Sequence, residues 1–138
     1  MLFTLTSITT CTVKAVNFNQ DCKGYLKRAS DANTVEIAKQ ELSKTIDYLE
    51  KNNLTTGYTS VFYNTPDEDI TFWYNNLKSS ELELSKVNDS TSALEKTNLL
   101  MKLRETLLDS GEKSDSITVP NGLWRYPNNL LYGIIFWI

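Results

Sequence analysis

The chain has no histidine among its 138 residues. That absence removes the Ser-His-Asp and Cys-His arrangements, the histidine-bearing zinc sites and the usual proton shuttle near neutral pH. Carboxylates, lysine, tyrosine and cysteine can still do acid–base work, so a small enzyme built on one of them is the alternative reading. Arginine is nearly as scarce, with only Arg28, Arg104 and Arg125, far apart in sequence. The net charge is −3 and the lysines are interspersed with acids. Bidentate recognition of phosphates or guanines therefore has little to work with, and no nucleic-acid partner is expected. Cys11 and Cys22 lack CxxC spacing and are too few for a thiolate zinc site. Two free thiols are expected, with a disulfide as the alternative in an oxidising compartment. Gly-rich phosphate loops, a nucleophile elbow and a dinucleotide fingerprint are all missing, so the sequence assigns no catalytic residue, metal ligand or cofactor.

Five glycines and three prolines leave long stretches free for helix. Hydrophobic residues make up 41% and charged residues 22%, the balance of one folded domain with a single core. Residues 1–18 are rich in threonine mixed with Leu, Ile and Val, which favours extended structure. Their expected partner is Ser116-Ile117-Thr118-Val119, giving a two-stranded clasp between the ends of the chain. An imperfect signal or anchor segment is the rival reading of residues 1–18.

The helical core is expected over 19–111. From about 21 to 53, Cys22, Tyr25, Leu26 and Ala29 form one apolar stripe, and Val35, Ala38, Leu42, Thr45, Ile46 and Leu49 form another. Asn33 followed by Glu36 resembles a helix-start box, yet the reading adopted is one continuous helix. Thr65-Pro66-Asp67-Glu68 signals the start of a second helix over 66–87, with Thr65 as its cap. Ile70, Trp73, Leu77, Ser80, Leu84 and Val87 give it a heptad seam. Ser92 and Glu95 open a third helix over 91–109, which is expected to bury Leu100, Leu103 and Leu107 with help from Leu94, Met101 and Leu108, and to end at Gly111. The short connection between these two helices makes them antiparallel. The aromatic stretch Tyr58–Tyr63 is expected to run extended across the helices. Residues 112–138 read as a linker followed by an aromatic, apolar C-terminal segment.

Among features that might carry function, Asp67, Glu68 and Asp69 match no calcium loop and are explained by helix-start electrostatics. Phe72-Trp73-Tyr74 places Trp73 in the seam and sends Phe72 and Tyr74 to its flanks. The segment Leu130–Ile138 carries no charge and, from Pro127, is short of the ~20 residues that cross a bilayer as a helix. The candidate interaction surface is therefore Phe72, Tyr74, Trp124, Tyr126, Tyr132, Phe136 and Trp137. The fold class is mainly α: an elongated helical bundle or long helical hairpin with a third helix and a small β clasp near the termini. The expected function is a non-enzymatic structural or protein-interaction module, binding a protein partner or a second copy of itself and contacting a membrane through the C-terminal segment. An acidic inhibitor or immunity-type binder ranks third, because the acids are dispersed. Localisation is left open between membrane-associated and cytoplasmic, with export as a further possibility.

Overall fold

The computed structural model describes residues 1–109, 116–131 and 134. It is mainly helical, with the helices packed on one another and almost no sheet. α1 (Leu2–Phe18), a π turn (Asn19–Lys23) and α2 (Gly24–Ser30) follow one another with helical backbone angles at each junction. α3 (Val35–Lys51), α4 (Ile70–Ser85) and α5 (Ala93–Leu107) complete the set.

The N-terminal segment is thus a helix and not the expected strand. β-branched residues lose only a few tenths of a kcal/mol in a helix, so packing easily overrides that preference. Here Thr4, Thr6, Thr9, Thr10 and Thr12 each donate their hydroxyl to a carbonyl three or four residues earlier. The apolar stripe of α2 also runs back through the π turn: Cys11, Phe18, Cys22, Leu26 and Ala29 are all buried. The π turn inserts an extra residue while keeping that stripe against the body. Ser116–Ile117 (β2) pairs instead with Leu108–Asp109 (β1), antiparallel, with Leu108 opposite Ile117.

The continuous helix expected over 21–53 breaks at residues 31–34. Thr34, in extended conformation, accepts a hydrogen bond from the Ile37 amide at 3.2 Å and starts α3. The cap lies one residue beyond the Asn33 box. α3 then folds back along α2, as the cross-links run in opposite senses: Arg28 to Glu41, Cys22 to Thr45, Phe18 to Tyr48. Glu41 is buried in that seam, held by Arg28 at 3.0 Å and Lys44 at 3.1 Å. α3 ends with Asn53 at a φ of 57°, Asn53 N–H donating to Glu50 O and Leu54 N–H to Leu49 O. This is a Schellman closure that tucks Leu54 into the core.

α4 also starts later than the sequence indicated. Thr65 makes no side-chain cap; Pro66–Glu68 is a 3-10 turn, and Asp69 caps the helix by accepting from the Phe72 amide at 3.1 Å. Asp69 wins because the preceding loop is closed at that point, through Ile70 N–H to Gly57 O, Thr59 N–H to Glu68 O and the Tyr58–Asp69 bridge. Ile70, Trp73, Leu77 and Leu84 are buried along the heptad seam. Ser92 caps α5 through the Glu95 amide, and Leu103 and Leu107 are buried with Leu100 half-buried. Leu94 and Met101, expected to help, are exposed. α5 ends at Leu107, short of the expected bound at 109 and the expected stop at Gly111, because Leu108 is already extended and opens β1; Gly111 itself lies outside the described residues. Beyond β2, a strap over 118–129 is fastened by the Trp73 indole N–H to Thr118 O at 2.9 Å, and buries Leu123 in the core.

Candidate functional site

α1 carries two apolar faces, and only one of them is covered. Residues of an α-helix step by about 100°, so Cys11 and Phe18, both buried, lie close together on one side. Part of that side packs on the strap turn Leu123–Arg125. Leu2, Leu5, Val13 and Val16 occupy the opposite arc, Ile8 stands on its flank about 60° from Cys11, and all five are exposed. Between them stand Thr9 and Thr12, whose hydroxyls are satisfied by Leu5 O and Ile8 O, leaving no donor that needs water. Lys14 is the helix's one charged side chain; it is half-buried and sits towards the covered side, so the outer arc is uncharged. A helix apolar on both sides belongs in a core or in lipid. Among the described residues no helix is long and apolar enough to cross a membrane. The C-terminal part of the described chain is similar in character, with Leu130, Leu131 and Ile134 about half exposed.

The residues singled out from sequence are not brought together. Phe72 projects from α4 at 64% exposure. Tyr74 packs partly on the core and donates to Glu50 Oε1 at 2.6 Å, joining α4 to α3. Its phenol is pushed up, first by burial and then by the Glu50 carboxylate. Lys78 and Glu81 continue this seam, with Ser43 donating to Glu81 at 2.6 Å. Trp124 and Tyr126 lie half-buried in the strap, packed on the core. The Tyr126 ring rests on Gly57, whose φ is 101° and where any Cβ would overlap the tyrosine hydroxyl. Tyr132, Phe136 and Trp137 lie outside the described residues. Sequence reasoning touched the α1 face only through the rival anchor reading of residues 1–18 and missed the helix itself; the lack of any glycine before Gly24 and any proline before Pro66 was the available signal.

Other chemistry is dispersed. Cys11 and Cys22 are free, and burial pushes the Cys22 thiol far up, which keeps it protonated and unreactive. Among the described residues, no group of three or more acidic or cysteine side chains is placed to hold a metal ion. A cleft of about 470 Å³ lies between the start of α4 and the strap, bordered by Asp67, Phe72, Trp73, Asn76 and Thr118. The loop 58–63 was expected to cover the helices, yet Phe62 and Tyr63 stand out from it at 84% and 82% exposure. No protein-family model, curated protein or solved structure matches this chain.

Proposed function

We propose that this chain is a non-enzymatic interaction module held on a lipid surface by α1. The carrying observation is the uncharged outer arc of Leu2, Leu5, Val13 and Val16, opposite the face that packs on the body and flanked by the exposed Ile8. Each large apolar side chain moved out of water gains about 1.5–3 kcal/mol, so a few of them suffice for reversible docking. The internally bonded threonines suit the same surroundings, since an unsatisfied hydroxyl in hydrocarbon costs several kcal/mol. α1 alone is 17 residues long, about 25 Å, and lies in or along the interface in this reading, without spanning. The membrane contact expected at the C-terminal segment moves to the other end of the sequence, with Leu130, Leu131 and Ile134 as an accessory apolar patch.

Flotation with phosphatidylcholine and phosphatidylglycerol vesicles tests this reading. Full-length protein is expected to float, and the double variant Leu5→Glu, Val13→Glu to lose at least tenfold in partitioning while its body stays folded. Equal flotation of the variant, or a wild-type protein that ignores vesicles and forms dimers instead, contradicts it.

A further inference from the structure

α1 draws away from the body towards its N-terminal end. The exposure of its apolar side chains climbs from 46% at Val16 and 53% at Ile8 to 67% at Leu5 and 83% at both Leu2 and Phe3. No side chain before Cys11 is buried, and Ser7 alone is half-buried. The first three turns therefore stand clear of the rest of the described chain on nearly every side.

Their surface is apolar around the whole axis, and not only along the outer arc. Helical residues two apart differ by about 160°, so Phe3 and Leu5 point in nearly opposite directions, yet both are exposed. Ile8 stands about 140° from Phe3, and Leu2 fills part of the gap between Phe3 and Leu5. The positions between them belong largely to threonine. Thr4, Thr6, Thr9, Thr10 and Thr12 each spend their hydroxyl on a carbonyl of the same helix, at 2.8 to 2.9 Å. No charged side chain occurs before Lys14. A helix lying flat at a water–lipid boundary needs an apolar side and a polar side. A second protein, or a second copy of this chain, would cover one side and leave the opposite apolar side in water. A helix apolar all round fits surroundings that are apolar all round, and the acyl-chain interior of a bilayer supplies them.

Length and charge set how far it goes in. Leu2–Val13 is about 18 Å long at 1.5 Å per residue, close to the ~15 Å of one leaflet's share of the hydrocarbon core. Lys14 follows at once, and a long lysine stem lets its ammonium reach the headgroups from just inside them. Asp21, Lys23, Lys27 and Arg28, in the π turn and α2, keep the next part of the helix out. We propose, building on the lipid reading of α1, that its first three turns enter one leaflet end-first, with Lys14 at headgroup level and the helical body outside the bilayer. Acyl chains then touch Phe3 as well as Leu5, while Val16 stays at the shallow edge.

Depth-dependent quenching on the full chain tests this. A fluorophore is placed at Phe3→Cys, Leu5→Cys or Val16→Cys, the native cysteines being buried. The protein is bound to phosphatidylcholine and phosphatidylglycerol vesicles that carry a nitroxide either near the headgroup end or near the methyl end of the acyl chains. Position 16 lies about 20 Å further along the axis than position 3. Labels at 3 and 5 should be quenched alike, at least about twofold more by the deep nitroxide than by the shallow one, and the label at 16 should show the reverse order. Phe3→Glu, a change at an exposed side chain, should lower vesicle partitioning about tenfold, as much as Leu5→Glu does. Quenching at position 5 but not at 3, equal shallow quenching at all three, or a Phe3→Glu variant that floats like the wild type would overturn end-first entry and leave the lipid reading standing. Protein that does not bind the vesicles at all would overturn both.

Discussion

α1 and α3 are both 17 residues long and end in opposite situations. α3 buries Val35, Ala38, Leu42, Thr45, Ile46 and Leu49 on one face and turns Glu36, Lys39, Gln40 and Asp47 to water. Its requirements are met inside this chain. α1 buries little beyond Cys11 and Phe18 and turns Leu2, Leu5, Ile8, Val13 and Val16 outward. Equal length therefore says nothing of role; the character of the outer face does. The difference teaches that α1 leaves an apolar arc open to solvent within this chain, whereas α3 is the post around which α2, α4 and α5 pack.

The comparison breaks most visibly through cavity formation. Leu42→Ala removes a fully buried side chain of α3 and should cost about 2–5 kcal/mol, read as a lowered urea midpoint. Leu5→Ala on the outer arc of α1 should shift the same midpoint by less than about 0.5 kcal/mol while weakening vesicle binding. A comparable loss from both would mean that α1 is an ordinary core helix. Next in size is the buried carboxylate. Arg28→Ala leaves Glu41 with Lys44 alone and should cost about 1–3 kcal/mol in the same titration. Lys27→Ala, which breaks only the exposed pair with Asp31, should stay within about 1 kcal/mol.

The start of α4 gives a smaller contrast. Asp69→Ala should lose about 0.5–2 kcal/mol as a removed N-cap. Thr65→Ala should change stability by less than about 0.5 kcal/mol, since its side chain caps nothing. Reversed magnitudes would restore the helix start read from the Thr65-Pro66 signal. The smallest effect is expected in acid. Burial works against the charge of Glu81, but hydrogen bonds from Ser43 and Lys78 outweigh it and hold the carboxyl below its ordinary range. A carboxyl depressed in the folded state stabilises the fold above its unfolded pKa, and that contribution fades as pH falls through the folded value. Ser43→Ala should therefore flatten the acid limb of the stability-against-pH curve, and an unchanged limb would show that the α3–α4 seam carries no such linkage.

What was legible in the sequence was local. The Ser92–Glu95 box and the seam of Ile70, Trp73, Leu77 and Leu84 depend on neighbours within a turn or two, and the fold obeys them. Thr65-Pro66 was equally local, yet closure of the 57–70 loop moved the cap to Asp69. Threonine content misread α1 because a weak backbone preference was weighed above the recurrence of Cys11, Phe18, Cys22, Leu26 and Ala29. The break at 31–34 was visible in the capping residues and was passed over for the longer apolar period. The depression between the 57–69 loop and the strap had no sequence signature at all. Thr59 and Asn129 are far apart in the chain and line one depression only because the strap closes on the loop, and Phe62 and Tyr63 read as cover for the helices when they stand in water.

The central claim is that the outer arc of α1 lies in lipid while α3 faces water. Nitroxide labels at Leu5→Cys and Val13→Cys, compared with one at Glu36→Cys, measure this directly through collision with dissolved oxygen and with a water-soluble nickel chelate on vesicles. The native Cys11 and Cys22 are buried and compete little for label. The account predicts high oxygen and low nickel access at positions 5 and 13, with the reverse at position 36. Nickel access at positions 5 and 13 equal to that at 36, on vesicles that carry the protein, would contradict it.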